Sequence, residues 1–286
     1  MHARSFIPTV RSCLTATALA LGIVMPAAAA DMMGNCEMTG QKGSSQIKPA
    51  VAGQLTAEVS LPAPGWYNGD TPEAIKDGYE YCMGAIIAYR AGLPKVQVVN
   101  AAWAQLIGGN TNNYDIALSE ASITEPRKKV VDFSTPYFNS DISLLVKKGT
   151  KVDNASAKDL RIGVHQGTTG ADFIMNVLKP KPEVKVYANV PAMTAALTAG
   201  QIDAIANDTA YNLAYAEKSN GALVVAGQYK TGEVYGAVYP KGSPNDAAFD
   251  KLIQAMKDDG TLDKLSQKYL APAFGGDPAK VPYLQP

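Results

Sequence analysis

From residue 53 onward, apolar positions switch repeatedly between a period of about two and a period of about 3.6, the signatures of strand and helix. Leu55, Ala57 and Val59 alternate with Thr56 and Glu58, and residues 95–99 and 114–118 carry similar short runs, so all three segments read as strands. Between the first two, residues 79–91 have helical spacing and stop at Gly92. A second series starts near Ile142, with strands predicted over 143–146, 161–164, 184–187, 202–206 and 223–226, and helices over 170–178, 191–199 and 208–218. Residues 244–257 and 262–269 predict two more helices, before Gly275, Gly276 and a proline-containing tail. Such alternation predicts an α/β chain of parallel sheets covered by helices, with ligands bound beyond the carboxyl ends of the strands. No internal repeat or low-complexity block interrupts it.

The first 30 residues follow a different pattern. Arg4 and Arg11 precede an apolar run over 14–25 and then Ala28, Ala29 and Ala30, which reads as an export signal cut before Asp31. The run falls short of the ~20 residues that span a bilayer, and no later segment is long enough. A periplasmic protein is therefore expected, with a polar arm over 31–52. Losing the signal removes two arginines and no acids, leaving 24 Lys+Arg against 26 Asp+Glu, a net charge of −2. A near-neutral chain without a basic block speaks against nucleic acid or an anionic membrane as partner and for a small molecule. With His2 in the signal, His165 is the one histidine left, which excludes a multi-histidine zinc site; no metal or cofactor is expected. Cys13 also lies in the signal. Cys36 and Cys82 are expected to pair in an oxidising compartment, the alternative being two buried free thiols.

Three predicted strands run directly into turns rich in small hydroxyls. In Ala117-Leu118-Ser119-Glu120-Ala121-Ser122-Ile123-Thr124-Glu125-Pro126-Arg127, Thr124 suits an N-cap, with Glu125 and Pro126 in the first helical turn. Hydroxyls, free N–H groups and the Arg127 guanidinium would converge there on a carboxylate, which accepts two parallel bonds from arginine. The same spacing also suits a capped helix with a solvated arginine. His165-Gln166-Gly167-Thr168-Thr169 is a second anion-friendly turn, lacking the lysine of a nucleotide-binding loop. His165 itself is as well explained by packing. In the third turn Asp208 either caps the next helix or meets an ammonium.

The ordered set Ser122-Ile123-Thr124-Glu125-Pro126-Arg127, Val131-Asp132-Phe133-Ser134-Thr135-Pro136-Tyr137, Gly167-Thr168-Thr169, Gly200-Gln201-Ile202-Asp203-Ala204 with Asp208, and Tyr239-Pro240-Lys241-Gly242-Ser243 resembles the periplasmic polar amino-acid binding proteins of ABC importers, the bacterial extracellular solute-binding proteins of family 3. The resemblance covers roughly residues 54–270. It implies the two-lobed type II periplasmic binding protein fold, two doubly wound sheets joined by two crossing strands near residues 137–141 and 232–236. Lobe 1 would comprise 53–137 and 237–271, lobe 2 138–236, and the tail 272–286. It further implies that Arg127 holds the ligand α-carboxylate with Ser122 and Thr169, that Asp208 takes the α-ammonium, that Trp103 covers the ligand and that His165 lines the pocket. The implied protein is a monomeric receptor that hands an amino acid or similar ligand to an ABC permease. An enzyme of the dehydratase or lyase type on the same fold, with Glu120 or His165 as general acid or base, is the alternative, as is a periplasmic sensor module.

This chain departs from the family pattern in two places. Ser60-Leu61-Pro62-Ala63-Pro64-Gly65-Trp66-Tyr67 follows the first strand where an acidic residue is usual, leaving Trp66 open to a second ligand wall or to core packing. The usual Gly-aromatic-Asp-x-Asp helix opening is Gly78-Tyr79-Glu80-Tyr81-Cys82, so the second acid has become a cysteine. Glu120 stands where many relatives have a small residue. Together with Trp66 and Trp103, it would suit a cationic or aromatic-bearing ligand.

Overall fold

A computed structural model describes Met1 and Asp31–Pro286. The expected export signal therefore lies outside the described residues. In chain order the elements are β1 (Met32–Met33), β2 (Cys36–Glu37), β3 (Leu55–Val59), α1 (Tyr79–Arg90), β4 (Val96–Asn100), α2 (Trp103–Ile107), β5 (Ile116–Ala117), α3 (Glu125–Lys128), β6 (Asp132–Phe133) and β7 (Phe138–Lys147). There follow β8 (Ile162–His165), α4 (Thr169–Phe173), β9 (Lys185–Tyr187), α5 (Val190–Thr198), β10 (Ala204–Asp208), α6 (Thr209–Lys218) and β11 (Leu223–Tyr235). The last are β12 (Val238–Tyr239), α7 (Asp246–Asp258), α8 (Thr261–Leu265) and α9 (Ala271–Phe274).

These strands form two five-stranded sheets, ordered β4-β3-β5-β12-β6 in the first lobe and β11-β7-β10-β8-β9 in the second. The sheets are mixed, not uniformly parallel as alternation alone predicted. β3 is parallel to β4 and β5, and β8 to β9 and β10, but β12 and β7 run antiparallel to their neighbours. The odd directions arise where the chain crosses between the sheets on two long strands: the first enters the second sheet opposite to β8, β9 and β10, and the second leads directly into β12 of the first sheet. β7 and β11 are those strands, paired antiparallel from Tyr235↔Phe138 to Leu223↔Lys147, with a break between Tyr229 and Glu233. There the Asp141 carboxylate accepts from the backbone N–H groups of Thr231 (2.8 Å) and Gly232 (2.9 Å), filling the gap in the ladder.

The first lobe is built around α1, which is buried on nearly every face and so reads as apolar all round. Its first turn is capped by a neighbouring loop: the Tyr79 N–H donates to the Gly65 carbonyl, and those of Glu80 and Tyr81 to the Trp66 carbonyl. Gly78 lies so close to the Trp66 backbone that a Cβ would collide with its carbonyl. Cys82 on this helix and Cys36 on β2 are joined as a disulfide, not left as free thiols, tying the polar arm to the lobe. The tail, which showed no pattern in sequence, crosses between cores: Phe274 packs in the first lobe and Leu284 in the second, where Gln228 pairs with the chain through its N–H to Pro282 (2.8 Å) and its carbonyl to Leu284 (2.7 Å).

Candidate ligand-binding site

Three strand ends meet at one cavity of about 340 Å³ between the sheets, within the size range of small-molecule sites. β5 delivers Ser119, Glu120 and Ser122; β8 delivers His165, Thr168 and Thr169; β10 delivers Asp208. Trp103 and Arg127 also line it. Thr124 caps α3 as expected, its hydroxyl accepting from the Arg127 N–H at 3.4 Å. The same turn buries the Arg127 side chain instead of solvating it. The guanidinium donates to the Ser122 carbonyl (2.7 Å) and, across the cleft, to the Gly167 carbonyl (3.0 Å), and lies 5.1 Å from the Trp103 ring. Trp103 Nε1 donates to the same Gly167 carbonyl at 3.3 Å. Gly167 has φ +75°, and a Cβ there would press on Ile107 at 3.2 Å, so glycine is what permits this close approach.

Asp208 occupies the N-cap position of α6, yet its side chain makes no capping bond. Its Oδ2 accepts instead from the Tyr235 hydroxyl at 2.6 Å, which holds the carboxylate at the cavity wall. Burial, and then the charge of Glu233, push Asp208 up to about 8, against the pull of Tyr235 and Arg127. Arg127 is itself pushed down by burial and held up by Asp208 and Glu233; a guanidinium stays charged regardless. His165 Nε2 sits 3.1 Å from the Ala188 carbonyl, and burial depresses its pKa, favouring the neutral ring.

Trp66 is not a ligand wall. It is fully buried, with edge contacts to Phe138 (4.9 Å), Tyr79 (5.2 Å) and Tyr235 (5.8 Å), and it is absent from the cavity lining. The loop that caps α1 turns the indole inward, where it backs the tyrosine that holds Asp208. Glu120 is among the residues that line the cavity. Its backbone takes the left-handed conformation, φ +51°, and its N–H donates to Glu80 Oε1 at 2.9 Å.

Sequence reasoning passed over three side chains at or behind the site. Glu233 on β11 accepts from the hydroxyls of Ser122 (2.7 Å) and Thr169 (2.8 Å), one from each lobe. A lone acid inside a crossing strand was the available signal. Tyr211 lines the cavity and donates across the cleft to the Pro62 carbonyl at 2.8 Å. Glu80, behind Glu120, also accepts from the Tyr137 hydroxyl, and burial raises it to about 7.

Residues 63–272 match the profile of bacterial extracellular solute-binding proteins, family 3. The chain belongs to that family. This family 3 protein is 33% identical over 175 residues to the L-cystine-binding protein of Escherichia coli, a match covering 60% of this chain and 64% of the relative, just under two thirds of its length. It is 33% identical over 204 residues to a probable histidine-binding protein of Neisseria gonorrhoeae, covering 67% and 74% of the two chains. Among solved structures, an ancestral arginine-binding protein bound to arginine superposes with a TM-score of 0.68 at 29% identity, covering 76% of this chain and 98% of that one.

Proposed function

We propose that this protein is an exported solute receptor that captures an amino acid or amino-acid-like ligand by lobe closure and delivers it to the permease of an ABC importer. One observation carries this reading: Arg127 of the first lobe and Asp208 of the second line the same cavity, a guanidinium suited to the carboxylate of an amino acid and a carboxyl suited to its ammonium. The Arg127 guanidinium has five donors, of which two are committed to carbonyls, so donors remain for a ligand carboxylate. Ser122 and Thr169 flank that seat, Trp103 and His165 close one side, and Asp208 receives the ammonium. Ligand contact with both lobes is what shifts open protein to closed, since affinity for one lobe alone would move nothing. The relatives named for cystine and histidine support a ligand with an amino-acid head group. The protein acts as a periplasmic monomer after its signal is cut near Ala30, with lobes divided at 137/138 and 236/237.

A thermal-shift screen of the 20 amino acids and common amines tests this reading. A binder at 100 times its Kd stabilises the native state by about 2.7 kcal/mol, an upward shift of several degrees. Absence of a shift with every amino acid would refute the receptor reading. Conversion of a binder to product would point to the enzyme alternative.

A further inference from the structure

Glu120 is the cavity group that a plain amino acid leaves unmatched. Its residue is 8% exposed, and its Oε2 has no hydrogen-bond partner among the described residues. The Oε2 of Glu80, beside it, is also buried and unpartnered. Neither carboxylate takes part in an ion pair among the described residues. Burial, and then the charges of Glu80 and Asp208, hold the Glu120 carboxyl well above the usual carboxylate range, so it keeps its proton until a cation compensates it. Its left-handed backbone is one that glycine or asparagine adopts more readily than glutamate. Strain together with an unpartnered carboxyl oxygen at a cavity wall points to a ligand as the missing partner.

Charge complementarity identifies that partner. The acids at the cavity are Glu120 and Asp208, with Glu233 bound to two lining hydroxyls, and Arg127 is the cation they share. A zwitterionic head group satisfies Arg127 and Asp208 but adds no net charge, so Glu120 stays uncompensated. Ser60, Leu61, Pro62 and Tyr211 line the same cavity as Glu120. An aromatic ring and a carboxyl lining one cavity suit an ammonium or guanidinium.

We propose that Glu120 is the specificity-determining residue of this cavity, recognising a second cationic group at the far end of the ligand, so that the receptor selects amino acids with a cationic side chain. The proposal rests on the receptor reading above. Calorimetric titration of the exported chain with L-lysine and L-arginine, against their neutral isosteres L-norleucine and L-citrulline, tests it. The cationic members should bind about tenfold tighter or more, as expected for a buried charge pair. In Glu120→Gln the ratio of cationic to neutral affinity should fall to near one. Glu120→Asn, which accepts the left-handed backbone, should behave alike. Equal binding of neutral isosteres to the unaltered protein, or a preference that survives in Glu120→Gln, would overturn the proposal. If both variants failed to fold, the comparison on the unaltered protein would still decide it. Binding of neutral amino acids alone would leave the receptor reading standing and remove this one; binding of none would remove the receptor reading itself.

Discussion

Replacing Arg127 with alanine removes a guanidinium that is buried, spans the cleft to the Gly167 carbonyl and acts by its charge on Asp208 and Glu233. Truncating one partner of a buried charge-assisted contact costs about 2–5 kcal/mol of binding. At 1.4 kcal/mol per tenfold, ligand affinity should fall between about 30-fold and a few thousand-fold. Arg127→Lys should fall in between, because one ammonium cannot bond two carbonyls in different directions and still present a planar fork to a carboxylate. Titration calorimetry with the strongest ligand from the amino-acid screen gives the affinities, and far-UV circular dichroism shows whether each variant is folded. Affinity within about threefold of the unaltered protein, in a folded Arg127→Ala, would be under 1 kcal/mol and would refute the carboxylate assignment.

Trp66→Ala should lower unfolding free energy by about 3–5 kcal/mol, the cost of emptying a core aromatic site, without changing the order of ligand preference. Denaturant unfolding and the same ligand panel check this; altered preference at unchanged stability would mean the indole reads the ligand. Stability of the ligand-free protein should fall as pH rises from 6.5 to 8. Glu80 and Asp208 have folded pKa values of about 7 and about 8, raised from 4.5 and 3.8, so their stabilising contribution is complete below the ordinary values and is lost as pH climbs through the raised ones. His165 is depressed below 6.5, so its opposing effect acts at lower pH. The combined loss should be on the order of a few kcal/mol, read as a falling Tm; a rising Tm across that window would contradict the burial of these acids.

Much of the fold was legible because periodicity is local. β3, α1, α5 and α6 begin and end within a residue or two of their expected positions, since Gly92, Asn189 and the apolar spacing act within one or two turns. The short strands β6 and β12 were missed, because two residues carry no period. Periodicity showed β11 only at its start, and its end was expected only from the family resemblance: the segment between, Lys230 to Glu233, is charged and glycine-containing, and its pairing with β7 is bridged by a side chain, Asp141. The antiparallel insertions were likewise invisible, since strand direction follows from the path of the whole chain.

At the site, the sequence by itself determined the chemistry available: a capped turn carrying Arg127, a glycine-threonine turn at Thr169, and an acid at the end of β10. Such features depend on neighbours a few residues away. Only the tertiary structure decided which groups would face one another. It turned Trp66 into the core, drew Asp208 off its helix to the Tyr235 hydroxyl, and placed Glu233 between hydroxyls of two lobes. It also set Glu120 against the cavity with an unpartnered oxygen. Burial and charge are sums over residues far apart in the chain, 111 apart for Ser122 and Glu233, so no local pattern can state them.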